Sequence, residues 1–305
     1  MVKAILLVIL SAFIYATTCH MDKLIVTKTS KATKNINAVV IICSLIPGLI
    51  MTPIMMVVAN FNFEITPIAI LFLVGAVVAN LIGNYLYYAA MNISEASTTT
   101  VMLQMIPIFS FLLALIVFNE TLTASQIIGS IIIILSAVLI VDKNKSSKHC
   151  GRWKTVSLML FSTFFYAVYF FMFDLAIREV EYSTCALWYQ IILLAVGILL
   201  LFTRRFREPF FKAIKHGGKG FVFINILDEG LSSVASMIEN YANTILPLVL
   251  VNVVGGVQGI FVFLIGVVGV KIAPKIFKED LRKQVVLRKV SCIIMSSIGL
   301  ILIFV

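Results

Sequence analysis

Long apolar blocks, each nearly free of charge, alternate with short polar stretches along the whole chain. The blocks are about 18 to 27 residues long, as in "AILLVILSAFIYA", "IAILFLVGAVVANLIG" and "IIGSIIIILSAVLIV". An α-helix needs about 20 apolar residues to cross the roughly 30 Å hydrocarbon core of a bilayer. A membrane β-barrel would instead show alternating strands of about ten residues. The pattern therefore predicts an all-α, multi-pass membrane protein.

Ten membrane-spanning helices account for these blocks. Their predicted bounds are 2–21, 36–59, 66–91, 97–118, 124–141, 155–177, 182–202, 220–243, 246–270 and 286–304. The stretch "TASQ" at 123–126 is a capping-box pattern at the start of the fifth helix. The first block follows Lys3 as a signal peptide would, but no convincing small-residue cleavage site comes after it. We therefore expect a retained helix there.

The composition and net charge of the chain limit the classes of partner that it is expected to bind. It has 305 residues, 61% of them hydrophobic, and a net charge of +10. In a soluble protein this charge would favour nucleic-acid binding. Here the basic residues cluster in short loops, which indicates attraction to anionic lipid headgroups instead and argues against nucleic acid. The five cysteines are scattered without C-x-x-C spacing, so they predict neither disulfides nor a metal site.

The basic residues also predict the orientation in the membrane. Twenty-two of the 24 lysines and arginines lie in or beside the connections after helices 1, 5, 7 and 9. Loops rich in Lys and Arg stay in the cytoplasm. We therefore expect connections 1–2, 5–6, 7–8 and 9–10 on the cytoplasmic side of the plasma membrane, and both termini outside.

The two halves of the chain, 1–145 and 146–305, resemble each other weakly. "SAFIYA" matches "STFFYA" at an offset of 151, "ANLIGNY" matches "ASMIENY" at 156, and "PIFSFLLA" matches "GIFVFLIG" at 152. Since each half holds five predicted helices, the second half must enter the bilayer from the opposite side. Inverted repeats of this kind are typical of alternating-access transporters, whose substrate binds near the bilayer midplane between the halves.

The residues from 98 to 141, "TTTVMLQMIPIFSFLLALIVFNETLTASQIIGSIIIILSAVLIV", combine a proline-bearing apolar helix, an "NETLT" turn and a glycine-bearing final helix. With the echo "GGVQGIFVFLIG" in the second half, the chain resembles the EamA type of the drug/metabolite transporter superfamily. The resemblance implies two five-helix domains and transport of a small molecule. The chain departs from the family pattern in three ways: Gly259 replaces the second-half proline, "NETLT" has no counterpart after helix 9, and the charge count places the termini outside.

A polar stripe runs along predicted helix 8. Its members are spaced by three or four residues, which places them on one helical face. They are Asn225, Glu229, Ser232, Ser236, Glu239 and Asn243, with Asp228 at the border. Because a carboxylate facing hydrocarbon costs at least about 2.5–3.5 kcal/mol, we expect Glu229, Asp228 and Glu239 to face a hydrated cavity, a partner or a substrate. The alternative is that Glu239 lies near the outer surface and that the serines serve helix packing.

Other polar residues on the predicted helices are candidates for substrate binding, with helix packing or interface anchoring as the alternatives. Asn80, Asn84 and Tyr88 share one face of helix 3, and Asn240 is the repeat equivalent of Asn84. Gln104 and Gln258 precede the Pro107 and Gly259 positions and could form a polar patch. Trp188 could stack on a substrate.

The stretch "CHMDK" near the cytoplasmic end of helix 1 brings His20 and Asp22 together with Lys23. Histidine is the side chain whose ordinary pKa lies nearest neutrality. His20 and Asp22 could therefore gate protons. A snorkelling interface cluster is the favoured alternative.

These patterns together predict a secondary transporter, an exporter or exchanger of a small organic metabolite, with possible proton coupling and no cofactor or metal. The alternative is a non-transporting membrane subunit, sensor or lipid-handling scaffold. The sequence contains no G-x-S-x-G, no H-E-x-x-H and no P-loop, so we do not expect an enzyme. The oligomeric state is either a monomer or a homodimer.

Overall fold

A computed structural model describes residues 2–33, 36–118, 123–140, 150–243, 245, 251, 254–273, 277 and 279–304. These residues form α-helices joined by short connections, and none of them lies in a β-strand. The helices are, in chain order, α1 (Val2–Thr33), α2 (Asn37–Val58), α3 (Pro67–Ile93), α4 (Ala96–Leu103), α5 (Ile106–Phe118), α6 (Ala124–Ile140), α7 (Cys150–Glu179), α8 (Tyr182–Phe202), α9 (Arg204–Asn243), α10 (Gln258–Ile272) and α11 (Lys283–Phe304).

Eight helical segments in the described part of the chain are long and apolar enough to cross a membrane. One of these, Ala96–Val117, consists of α4 and α5 together, and α6 and α10 are two further, shorter apolar helices. The predicted all-α, multi-pass architecture with ten apolar segments is confirmed. The inversion of the second half and the boundary between 1–145 and 146–305 stay predictions.

Two predicted cytoplasmic loops are in fact largely helical. α1 continues to Thr33 rather than ending at residue 21, and α9 begins at Arg204 rather than at residue 220. The helix is interrupted at Gly218, whose φ of 62° and ψ of −165° suit only glycine. The charge pattern gave no sign of the helicity of these stretches, although lysine and arginine are good helix formers.

The predicted helix 97–118 is divided at Gln104 and Met105, shortly before Pro107. α4 ends in a tight turn, in which the amide of Gln104 bonds the Val101 carbonyl at 3.2 Å and that of Met105 bonds Met102 at 3.1 Å. A proline has no N–H to continue an α-helical ladder, although it is tolerated in the first turn of a new helix. The chain therefore restarts as α5 at Ile106, one residue before the proline.

By internal packing the chain divides into two compact units, and each unit takes segments from both predicted halves. Unit 1 is Met1–Leu24, Ala90–Leu160 and Leu231–Val305. Unit 2 is Ile25–Ala89 and Phe161–Gly230.

Unit 1 is organised around the pairing of α6 with α11. A Cβ added to Gly129 would lie 2.5 Å from the Gly299 carbonyl oxygen and 2.9 Å from the Ile303 side chain. The two backbones therefore approach as closely as glycine allows, as small residues permit in membrane helix pairs. α4 packs against α10, α6 and α11 in the same unit.

Unit 2 is organised around the pairing of α2 with α8. A Cβ on Gly48 would lie 2.8 Å from the Leu194 Cβ, so this pair too depends on a close glycine contact. A second apolar cluster joins α3, α7 and α8 through Leu73, Ala176 and Tyr189. These contacts position the polar side chains of α3.

Candidate functional site

The polar stripe of α9 lies on a face that is largely withdrawn from the surface. Asn225 is 1% exposed and Asp228 is 2% exposed, while the side chains of Glu229, Ser232, Ser236 and Glu239 are partly buried. Ile226, Leu227 and Val234, on the opposite face, are between 42% and 47% exposed. This division is the one that the spacing predicts. The side chains of Asn240 and Asn243 lie outside the described residues.

Asn225, Asp228 and Glu229 belong to unit 2, whereas Glu239 belongs to unit 1. A Cβ on Gly255 would lie 3.9 Å from Glu239 Oε1. Glu239 therefore lies close to the backbone that leads into α10.

In unit 2 the asparagines of α3 form a hydrogen-bonded chain with two tyrosines. Asn80 Nδ2 donates to the Tyr189 hydroxyl at 2.7 Å, and Asn84 Nδ2 donates to Asn80 Oδ1 at 3.1 Å. The Tyr166 hydroxyl donates to Asn84 Oδ1 at 2.9 Å. We call these four residues the amide–tyrosine network. Its internal bonds show that the asparagines hold α3, α7 and α8 together.

The tyrosines of this network were not predicted as site residues. Tyr166 lies in the repeat motif "STFFYA", and Tyr189 follows Trp188, so the sequence contained a weak signal for each. Trp188 itself donates its Nε1–H to the Phe63 carbonyl at 3.2 Å, which anchors the indole to the connection between α2 and α3. Tyr88, on the asparagine helix, is buried against the ring of Tyr87 with centroids 5.3 Å apart.

In unit 1 the structure brings Gln104 and Gln258 to the same region, as their spacing before Pro107 and Gly259 predicts. Gln104 Nε2 donates to the Gly256 carbonyl at 3.3 Å, and Gln258 Nε2 contacts Cys19 Sγ at 3.5 Å. The Thr100 hydroxyl reaches the same sulfur at 3.6 Å. We call Cys19, Thr100, Gln104 and Gln258 the glutamine patch. Gln104 Oε1 is buried and has no hydrogen-bond donor among the described residues.

His20 has different neighbours from those that its sequence position suggested. His20 Nε2 lies 2.8 Å from the Val262 carbonyl of α10, and its ring lies 5.2 Å from that of Phe277. Lys23 donates to the carbonyls of Met91 and Ser94, the latter at 2.6 Å, and so ties α1 to the end of α3. Asp22 is partly buried, and whether it acts with His20 stays a prediction.

A buried ionic group that the sequence analysis did not predict lies in unit 1. Lys289 is 1% exposed and its ammonium contacts a carboxylate oxygen of Glu95 and one of Glu279. Ser97 donates its hydroxyl to Glu279 at 2.7 Å and its amide at 3.3 Å. We call Glu95, Glu279 and Lys289 the ion cluster. It joins the start of α4, the segment before α11 and α11 itself.

The charge state of Glu279 follows from these contacts. Burial by itself would raise the pKa of Glu279, but the charge of Lys289 and the hydrogen bonds from Lys289 and Ser97 outweigh it. The net effect is a lowered pKa, which keeps this carboxylate ionised at neutral pH. Glu95 and Glu279 fall in predicted connections, where carboxylates are normally solvated, and this is why the sequence gave them no role.

The helices that contain His20, the asparagines of α3 and Gln104 all lie in a part of the chain that matches a known protein family. Residues 2–142 match the EamA-like transporter family. The match covers slightly less than half of the chain. The predicted resemblance to the drug/metabolite transporter superfamily is thereby confirmed over these residues, and the apolar helices make the chain a multi-pass membrane protein.

No curated protein matches this chain significantly. A solved structure titled "Crystal structure of protein" aligns with a TM-score of 0.46 and 10% sequence identity. The alignment covers 95% of this chain and 96% of that one. A likeness of that degree identifies neither a shared fold nor a function.

Proposed function

We propose that this chain is a secondary transporter that moves a small organic molecule across the plasma membrane by alternating access. The observation that carries the proposal is the division of α9, in which carboxylate, amide and hydroxyl side chains occupy one face and exposed aliphatic side chains the other. The match of residues 2–142 to the EamA-like transporter family supports it.

The energetic argument starts from Asp228 and Glu229. Two carboxylates on one turn of a membrane-spanning helix are costly in hydrocarbon, at about 2.5–3.5 kcal/mol each or more. Polar residues of this kind face a protein interior or a hydrated path, and they mark substrate or ion pathways in membrane proteins. Ile226 and Leu227, which separate Asn225 from Asp228, are exposed instead and suit a lipid-facing surface.

The stripe supplies chemistry for a small polar molecule. In unit 2, Glu229 and Asp228 would contact a cationic group or take up a proton. In unit 1, Glu239 would do the same, while Ser232 and Ser236 would offer hydroxyl groups and Gln104 and Gln258 amide groups to a polar molecule. In this proposal Asn80, Asn84, Tyr88 and Trp188 act mainly by positioning α3 and α8, since the described contacts of their polar groups are within unit 2.

The proposed direction of transport depends on the orientation of the chain in the membrane. Since 22 of the 24 basic residues lie in or beside connections 1–2, 5–6, 7–8 and 9–10, we place these connections in the cytoplasm and both termini outside. An exporter or an exchanger is the proposed mode. Reporter domains fused after Val305 should be active only outside the cell.

The function can be tested with purified protein. Thermal-shift measurements with amino acids, nucleobases and polyamines select a compound, and counterflow of that compound is then measured in liposomes. We expect Glu229→Gln to reduce counterflow at least about tenfold, the equivalent of one contact of ~1.4 kcal/mol. Glu208→Gln, an exposed glutamate of the same helix, is the matched control.

Two outcomes would count against the proposal. Counterflow that is absent for every compound that stabilises the protein would favour the non-transporting alternative. Counterflow that is equal in wild type, Glu229→Gln and Glu208→Gln would remove Glu229 from the site.

A further inference from the structure

Two neighbouring helices of unit 2 each carry a buried polar atom that lacks a hydrogen bond. Thr52 Oγ1 of α2 and Gln190 Oε1 of α8 are both enclosed, and neither has a hydrogen-bond partner among the described residues. A buried polar group without a hydrogen bond is costly, and nearly all such groups in native proteins are bonded. The packing of unit 2 alone therefore does not account for these two side chains.

The close contacts between α2 and α8 fix how the two helices are aligned. A Cβ on Gly48 would lie 2.8 Å from the Leu194 Cβ, and a Cβ on Gly197 would lie 2.8 Å from Ser44 Oγ. The contact later in α8 is made by the residue earlier in α2. The two helices therefore run antiparallel.

This alignment places Thr52 opposite Gln190. Thr52 lies one helical turn after Gly48, and Gln190 lies one turn before Leu194, so both belong to the faces that pack together. Gln190 is eight residues into α8 and Thr52 is six residues before the end of α2, which places both about 9–12 Å inside their helices. We call Thr52 and Gln190 the polar pair.

Other polar side chains of these two helices have hydrogen bonds within unit 2. Ser44, two turns before the polar pair on α2, donates its hydroxyl to the Val40 carbonyl at 2.9 Å. The Tyr189 hydroxyl, on α8, accepts a hydrogen bond from Asn80 at 2.7 Å. The polar pair differs because its hydrogen-bonding capacity is left for another group.

The two helices select an uncharged group. Neither α2 nor α8 contains a lysine, arginine, histidine, aspartate or glutamate that could balance the charge of a ligand. A charge without a partner is costly at this depth in a membrane. Gln190 Oε1 can only accept a hydrogen bond, while the Thr52 hydroxyl can donate and accept. The complementary group is a neutral N–H or O–H donor, as in an amide or a hydroxyl.

We propose that the polar pair is a binding subsite for an uncharged amide or hydroxyl group of the transported molecule. The role in transport rests on the proposed function, whereas binding of a neutral donor group at the polar pair stands without it. Since α2 and α8 enclose both atoms, the ligand group reaches them when the two helices separate. Alternating access supplies movements of this kind between packed helices.

The subsite narrows the class of substrate. Asp228 and Glu229, in the same unit, are proposed to contact a cationic group. The polar pair adds a neutral hydrogen-bond donor. The transported molecule would therefore carry an amide or a hydroxyl in addition to its cationic group.

The first experiment measures the stability of the protein without ligand. Thr52→Val keeps the shape of the side chain and removes the hydroxyl, and Gln190→Met keeps its length and removes the amide. Because each variant removes a buried oxygen that has no hydrogen bond to lose, we expect the thermal midpoint in detergent to stay constant or to rise by roughly 2–6 °C. Thr184→Val removes another buried, unpartnered hydroxyl of α8, six residues before Gln190, and should behave in the same way.

The second experiment uses a matched pair of probes. Acetamide has N–H donors, and N,N-dimethylacetamide has the same carbonyl without them. We expect acetamide to raise the midpoint of the wild type and of Thr184→Val more than N,N-dimethylacetamide does. This difference should disappear in Thr52→Val and in Gln190→Met. In liposomes, the half-saturating concentration of the compound selected by thermal shift should rise about fivefold in Thr52→Val, as expected for one lost hydrogen bond.

The outcomes separate the subsite from the transporter. Loss of stability in Thr52→Val and Gln190→Met would mean that the two side chains are bonded within the protein, and it overturns the subsite. Equal effects of the two amides on the wild type, as for a site that holds only water, or a difference that persists in both variants, also overturn it while counterflow continues to support the transporter. Discrimination that the two variants lose, together with no counterflow of any compound, supports the subsite and contradicts the transporter.

Discussion

Removal of the ammonium from the ion cluster gives the sharpest test of the buried contacts. Lys289→Met keeps the length and apolar stem of the side chain but removes the ammonium that Glu95 and Glu279 both contact. Breaking a buried ion pair by removing one partner costs about 3–5 kcal/mol. At a few degrees per kcal/mol for chains of this size, the thermal midpoint in detergent should fall on the order of 10 °C at pH 7.

The pH dependence of the wild type and the variant should have opposite signs. Lys289 and Ser97 lower the pKa of Glu279 below its ordinary value of 4.5 despite burial. In the wild type the stabilisation is therefore present above pH 4.5 and is lost as the pH falls through the lowered pKa. In Lys289→Met a proton on either carboxylate relieves the repulsion, so the midpoint of the variant should rise as the pH falls from 7 toward 5.

The assay is the thermal midpoint of purified protein, followed by size-exclusion chromatography after heating, from pH 3 to pH 8. Lys283→Met, an exposed lysine in the first turn of α11, is the control and should follow the wild type. A Lys289→Met midpoint within 2 °C of wild type, with a parallel pH profile, would refute the assignment of a buried, charge-paired cluster.

Two further predictions concern packing and the bilayer surface. Gly129→Ala places a methyl group 2.5 Å from the backbone of α11 and should cost about 1–3 kcal/mol, whereas Gly230→Ala, with no atom within 4 Å, should be neutral or stabilising by up to about 1 kcal/mol. Midpoints of the two variants, measured side by side, check this, and equal losses would contradict the close helix contact. The double variant Lys212→Gln/Lys215→Gln changes two lysines in the exposed basic part of α9 and should weaken binding to anionic lipid by about 1 kcal/mol per charge. Native mass spectrometry with phosphatidylglycerol measures this binding. Unchanged lipid retention would argue against contact between these lysines and headgroups.

The predicted helix bounds are most accurate where the residues that flank an apolar block differ clearly from it in polarity. Helix 182–202 was predicted with the bounds that α8 has, because Glu181 precedes the block and Thr203 with two arginines follows it. The predicted C-terminal end of α1 and the predicted start of α9 were wrong because charged residues continue a helix as readily as apolar ones. The break at Gln104 was also missed, although Pro107 indicated its position.

The site residues also divide into those that local spacing predicted and those that it missed. Periodicity placed Asn80 with Asn84, since four residues make about one helical turn. Periodicity did not predict Tyr166 and Tyr189, because their hydrogen bonds to these asparagines depend on how α7 and α8 pack on α3. The same holds for the ion cluster, whose members Glu95 and Glu279 looked like ordinary loop carboxylates.

The sequence by itself determined the number of apolar segments, their membrane character and the polar face of α9. These properties depend on residues a few positions apart, whose free energy in lipid or water is set locally. Tertiary structure decided which carboxylates are buried and what each one pairs with, as at Lys289 and His20. Burial and pairing arise between segments that are up to 242 residues apart in the chain, as for His20 and Val262, and only packing brings such segments within hydrogen-bond distance.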